Sequence, residues 1–327
     1  LYSENYGSEP SGRYRFGLQG SFENLTKSGD RLNLGVTLSN KDLHNYSISY
    51  SHPVGADGTV LGLGVSRMDY ELSGAFRRLG AEGTADTLSI FGTTPLWRTS
   101  KSSLVLSYGW DWRRLKDEYK AVGMELEKHS STFRLGLKGE DRYVRTILTY
   151  DITAYAGRLS ADSDWARIQM KRAGTEGGFT KAVANLNVQR TLSDRFNLNF
   201  KAQVQKAGTN LDSSEEIYLG GASGVRAYPQ GEVSGDNGYL TNLELSYRTN
   251  VPNLTLSTYF DMGQVQYAND GIGGSEILKG YGVGISYSRP GDYFVRLDWA
   301  RRIGLPEDAS EAAKAKNRLW FMVGKVW

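Results

Sequence analysis

The sequence predicts an all-β fold, a transmembrane antiparallel β-barrel of about sixteen strands with a long extracellular loop folded into its lumen. Three observations carry that reading. Residues 196–205 alternate strictly between apolar and polar side chains, a run longer than the mean soluble strand of about 5–6 residues. Connectors alternate between short and long along the chain, as tight turns at one rim and larger loops at the other require. The connector spanning residues 208–238 far exceeds a hairpin's needs, and loops of such length in compact folds are functional or disordered.

Composition narrows the classes without deciding among them. The chain has 327 residues, with Gly 39, Tyr 20 and Pro 7, enough for one large barrel or two ordinary soluble domains. No run approaches the roughly 18 apolar residues of a membrane helix, and the mean hydropathy of -0.46 is compatible with strands that alternate. Cysteine is absent, which leaves no disulfide framework or thiol chemistry. A net charge of +3 gives no footprint for nucleic acid. The N-terminus carries no charged-then-apolar leader, so the chain is expected to be a fragment or mature portion.

Taken in order, residues 1–6 read as the remainder of a truncated first strand. Short turns are expected at residues 26–30, 53–59, 94–102, 138–142, 193–195, 250–253 and 290–293, all rich in Gly, Pro, Asn, Asp or Ser. Longer outer connectors are expected at 74–83, 116–124, 160–178, 208–238, 267–275 and 304–317, with a shorter one at 40–45. A short helix is expected over residues 165–172. Strand 240–248 sets Leu243, Leu245 and Tyr247 against Glu244 and Arg248, and strand 293–299 sets Val295, Leu297 and Trp299 against Arg296 and Asp298. Lys201 falls on the polar face of strand 196–205. These five charged residues are expected to face the lumen. The last strand, 318–327, ends on an aromatic and resembles the C-terminal assembly signal of outer-membrane barrels. Trp97, Trp110, Trp112, Trp299 and Trp327 are expected near strand ends, as interfacial girdles.

Two motifs bear on function. The long connector contains Gly221, then Val225-Arg226-Ala227-Tyr228-Pro229, then Gly235-Asp236, and a later strand carries Phe260-Asp261-Met262-Gly263. Alternation from Asn253 places Asp261 on the lumen face, about eight residues and roughly 20 Å above the short-turn rim. Together the motifs resemble the signature of the two-partner secretion transporters. These are the TpsB branch, with FhaC, ShlB and HecB, of the superfamily that includes BamA. Ala227 stands where many members have Gly, and the aromatic directly precedes the Asp. The resemblance implies that the loop enters the barrel and that Arg226 meets Asp261, with Phe260 and Gly263 forming the wall beside it. It also implies that the whole of 1–327 is a barrel domain, preceded in the family by periplasmic polypeptide-transport-associated (POTRA) modules that lie outside this chain. The implied function is export of an unfolded partner exoprotein, a hemolysin or adhesin, by a monomeric pore in the bacterial outer membrane. Its other partners would be outer-membrane lipids and the barrel-assembly machinery; no cofactor, metal or nucleotide is implied.

Four alternatives accompany that reading. An assembly barrel of the BamA type shares the motifs at superfamily level. A hydrolytic barrel needs a catalytic group that the scattered His44, His52 and His129 do not supply. A passive porin has no need for both motif halves, and a soluble β-sandwich would show the same alternation without requiring detergent. Arg67, Arg77, Arg78, Lys171 and Arg172 suggest a lipopolysaccharide contact or simply solvated loops.

Overall fold

The computed structural model describes residues 1–72 and 78–327. Among them run β1 (Tyr2–Glu4), β2 (Arg15–Glu23), β3 (Arg31–Ser39), β4 (His44–Val54), β5 (Thr59–Glu71), β6 (Ala81–Arg98), β7 (Ser102–Tyr119), β8 (Met124–Tyr143) and β9 (Thr146–Ala161). Then follow α1 (Asp164–Ala173), β10 (Gly177–Thr191), β11 (Phe196–Ala207), the short β12 (Ile217–Tyr218) and β13 (Ser234–Gly235), β14 (Asn237–Arg248), β15 (Leu254–Gln266), β16 (Ser275–Ser288), β17 (Tyr293–Ile303) and β18 (Asn317–Lys325). Sixteen of these described strands close an antiparallel barrel, while β12 and β13 pair only with each other inside it.

Parity explains the closure. Leu63, Ile90, Trp110 and Phe133 are cross-strand neighbours on successive strands, and the first, second and fourth are exposed apolar residues on the outer face. Phe16, Ile48, Leu135, Val204, Leu243, Val283 and Leu319 continue this belt around the molecule. Such a surface is stable only against hydrocarbon, and the lumen faces of the same strands are polar. Both chain ends lie at the short-turn rim, where the Leu1 amino group donates to the Lys325 carbonyl and the Val326 amide to that of Asp292. The seam between β1 and β18 has three residue pairs. Asn5 extends it by side chain, donating through Nδ2 to the Leu319 carbonyl and accepting the Phe321 amide.

Several boundaries differ from expectation. Residues 138–142 are not a turn, because β8 continues to Tyr143 and the chain reverses at Val144 and Arg145. Residues 94–98 belong to β6, which carries a bulge between Pro95 and Trp97. The connector expected at 116–124 shrinks to residues 120–123, with Gly123 at φ 61 closing it. The cause is common to the outer ends: β6, β7 and β8 overrun the membrane as a hydrated ribbon. There cross-strand ion pairs such as Arg114–Glu127 and Lys116–Glu125 replace apolar contacts. Their polarity mimics a loop. The 74–83 connector is described only in part, with Ala81–Gly83 already in β6; Ser73–Arg77, including Arg77, lie outside the described residues.

The same overrun corrects the tryptophans. Trp97 and Trp327 lie at strand or chain ends, but Trp110, Trp112 and Trp299 lie within β7 and β17. The next outward residues are Arg114 after Trp112 and Arg301 after Trp299, so these two mark the upper edge of the belt rather than a strand end.

Outward and lumenal positions should respond differently to charge. Leu135→Arg, near the middle of the belt, should destabilise the vesicle-embedded barrel by about 2–4 kcal/mol in denaturant titration. Ser21→Arg on the lumen face should cost less than about 1 kcal/mol. Equal costs would contradict the assigned faces.

Candidate functional site

The connector between β11 and β14 descends into the barrel and folds back on itself. β12 and β13 zip its two limbs together, Leu219 donates to the Val233 carbonyl, and the Val225 amide donates to the Leu219 carbonyl at 2.6 Å. The tip is tight. A Cβ on Gly224 would lie 2.0 Å from the Leu219 carbonyl oxygen, and Gly221 sits at φ 121, so both positions demand glycine. Val225, Ala227 and Tyr228 are fully buried against Tyr259, Leu278 and Ala300 of the wall. This apolar packing holds the tip broadly; polar contacts set its register.

Arg226 supplies most of those contacts. Its Nε and Nη2 each donate to Asp261 at 2.9 Å, its backbone amide donates to the same carboxylate at 3.1 Å, and Nη1 donates to Glu244 at 2.8 Å. Asn242 donates to Asp261 at 2.8 Å and to the Gly224 carbonyl, tying the wall to both sides of the arginine. The guanidinium stacks 3.2 Å above the centre of the Tyr259 ring. Arg226 is 6% exposed and Asp261 0%. A charge at such depth is tolerable only because each partner's hydrogen-bonding sites are filled, and removing one partner of a buried pair costs about 3–5 kcal/mol.

A second arginine closes the network. Arg296 donates to Asp298 at 2.6 and 3.0 Å and to Glu244 at 3.1 Å, while Asp298 lies 3.7 Å from Arg226. Glu244, Arg296 and Asp298 therefore belong to the loop's anchor instead of forming a merely hydrated wall. Lys201 and Arg248 also face the lumen, yet neither touches the cluster. Phe260 is corrected outright: it is 41% exposed on the outer face between Leu243 and Tyr281, and contributes to the membrane belt. Gly263 does face the loop, where a Cβ would meet Leu219 at 2.8 Å.

Two contributors were not among the expected site residues, although alternation from Asn253 already sets Tyr259 on the lumen face with Asp261. The Trp320 indole N–H, on the lumen face of β18, donates to the Arg226 carbonyl at 2.6 Å and stacks edge-on with Tyr6. Tyr259 forms the floor of the guanidinium and donates to the Trp299 carbonyl. Strand parity puts both in the lumen, since Tyr259 alternates with Phe260 and Trp320 with Leu319.

The outer limbs are fastened separately. Lys128 reaches Asp212 at 2.5 Å, and Lys181 and Arg113 reach Glu215 at 2.8 and 3.2 Å. Burial raises the Asp212 carboxyl, but Lys128 and Ser214 outweigh it and hold it below its ordinary value. Asp236 is buried where the loop rejoins β14, accepting the amides of Leu211 and Asn269. Tyr228 donates to the carbonyls of Ile303 and Gly304, and Pro229 leads into the return limb, where Glu232 accepts from Ser310. Gly235 packs on the Gln266 carbonyl, 2.4 Å from where a Cβ would stand. Above the loop, α1 begins with Ser163 capping the Ala166 amide and buries Ala166 and Met170 on Leu126 and Leu159, lumen-facing residues of the overrunning strands.

The departure at Ala227 has a structural counterpart. A Cβ on Gly280 would lie 2.4 Å from the Ala227 methyl, so the wall leaves open the volume that the loop residue fills. Gly280→Ala should therefore loosen the loop and lower the unfolding midpoint, and Ala227→Gly in the same chain should restore it. A double variant as unstable as Gly280→Ala alone would contradict this fit.

The model of the haemolysin secretion/activation proteins ShlB/FhaC/HecB matches residues 1–287. The heme/hemopexin transporter protein HuxB of Haemophilus influenzae is 27% identical over 336 residues, covering 99% of this chain and 59% of its own length. The chain thus spans about three fifths of that curated relative. CdiB from Escherichia coli superposes with a TM-score of 0.83 at 20% identity, over 98% of this chain and 61% of that one. BamA from Haemophilus ducreyi lacking POTRA domains 1-3 gives 0.68 at 14%, over 99% and 69%. Both structures share the fold, CdiB more closely.

Proposed function

Because the chain belongs to the haemolysin secretion/activation family ShlB/FhaC/HecB, we propose that it is the bacterial outer-membrane pore that exports a partner exoprotein in two-partner secretion. The observation that supports this most is a loop folded into the lumen and fixed there by Arg226 and Asp261. A passive porin gains nothing from an obstruction with a buried ionic latch. A transporter does, because an idle lumen wide enough for a polypeptide must be restricted when no cargo is present.

In this mechanism the exoprotein arrives unfolded at the short-turn rim and displaces the loop. The displaced Arg226 exchanges Asp261 for water, while Arg296 remains to balance Glu244 and Asp298. The chain passes as an extended strand and folds outside, so no nucleotide is consumed. The barrel acts as a monomer, with lipids around its belt and the barrel-assembly machinery serving its biogenesis. The reading is one of transport rather than catalysis.

Single-channel recording in planar bilayers tests the latch. The unaltered barrel should show small, restricted conductance, and Arg226→Ala and Asp261→Ala should each produce larger and noisier openings of similar size. Conductance insensitive to both changes would overturn the proposed role.

A further inference from the structure

We propose that the lumen-facing carboxamides of β10 and β11 form a track that binds the main chain of a polypeptide in transit; this rests on the pore reading above. Asn185, Asn187 and Gln189 alternate on β10 with Leu186 and Val188, and Asn199 and Gln203 alternate on β11 with Phe200 and Ala202. The register sets Asn185 opposite Gln203, Asn187 opposite Lys201 and Gln189 opposite Asn199, so the carboxamides form paired rows along the wall with one lysine among them.

The loop leaves this wall open. Its ionic latch engages β14, β15 and β17, and Trp320 engages it from β18, whereas Ser223 at the tip faces a cavity of about 540 Å³ bounded by Asn185, Asn187 and Gln203. The lumen thus has a charged wall occupied by the loop and, facing open space, a wall of carboxamides where Lys138 and Lys201 are offset by Glu140 and Asp151. The Oδ1 atoms of Asn187 and Asn199 are enclosed and find no hydrogen-bond partner within the protein. Enclosed acceptors are ordinarily paired, so each of these side chains gains a bond if it turns to meet a group in the lumen.

The chemistry selects an extended main chain. A carboxamide offers a carbonyl acceptor and N–H donors, the same groups that a peptide unit carries. Residues on one face of a strand recur at roughly 6.6–6.8 Å, the interval at which an extended chain presents successive groups to one side. Neutral amides read the main chain without sorting side chains by charge, whereas a row of like charges would retain segments of opposite sign. Each bond is individually weak, so the chain is guided and still released.

The test uses an unstructured glycine-serine repeat peptide as the probe, because it is nearly all main chain, and measures its blockades of single-channel current. With Asn185→Ser, Asn187→Ser, Asn199→Ser and Gln203→Ser combined, blockade duration should fall about tenfold, equivalent to about 1.4 kcal/mol. The single changes Asn187→Ser and Asn199→Ser should each shorten it by about twofold, with Asn187→Gln near the unaltered value. Asn33→Ser, a lumen carboxamide on β3, should leave it unchanged, and ion conductance in all variants should match the unaltered barrel. Blockades of unchanged duration in the track variants would overturn the track and leave the pore reading intact. An absence of blockades in the unaltered chain would overturn both.

Discussion

A guanidinium inside a membrane barrel must find its counter-charges within reach of its own five donors, and that requirement organises much of this lumen. Arg226 can keep its charge at this depth because Asp261 takes two side-chain bonds and one backbone bond, Glu244 takes a third side-chain bond, and Tyr259 covers the exposed π-face. Asp261 in turn accepts from Asn242, and Glu244 is shared with Arg296, which also donates to Asp298. The loop around the arginine is shaped accordingly: glycines permit the tight reversal, and Val225 and Tyr228 seal the site from water. Electrostatics and packing are thus mutually dependent, because the dry surroundings that strengthen the pair are made by its immediate neighbours.

The anchor is also asymmetric around the barrel. Four strands, β14, β15, β17 and β18, contribute polar partners, and Gly280 of β16 contributes an absence of side chain. This one-sided attachment gives the lumen two unlike walls. Above it, the outer limbs are held by pairs from β7, β8 and β10, so the loop crosses the mouth attached on both sides. An obstruction fastened at two levels by polar contacts can be released stepwise when water or a competing chain supplies replacement bonds.

Alternation in residues 196–205 and 293–299 made the strands legible, because a lipid-facing position tolerates little besides apolar side chains. The meeting of Arg226 and Asp261, with thirty-four residues between them, was legible only through their two motifs, since no local rule says which wall a loop will touch. Hydrated strand ends were misread: residues 116–119 and 138–142 are charged and turn-like in composition, yet cross-strand ion pairs such as Lys116–Glu125 and Lys138–Asp151 keep them extended. Phe260 was assigned to the site by its neighbour in sequence, although the same parity that turns Asp261 inward turns Phe260 out. Trp320 went unnoticed because tryptophan in a barrel suggests a rim, whereas here its N–H satisfies a buried carbonyl.

Asp261 keeps the loop tip buried in the lumen. The chain lacks cysteine, so Val225→Cys introduces a single thiol at a fully buried and nearly isosteric position. The decisive measurement is its rate of labelling by a water-soluble maleimide, with and without Asp261→Ala, in refolded barrels. Strong protection is expected in the first chain and labelling faster by at least about tenfold in the second, reflecting a latch worth more than about 1.4 kcal/mol. Equal rates in the two chains would contradict it.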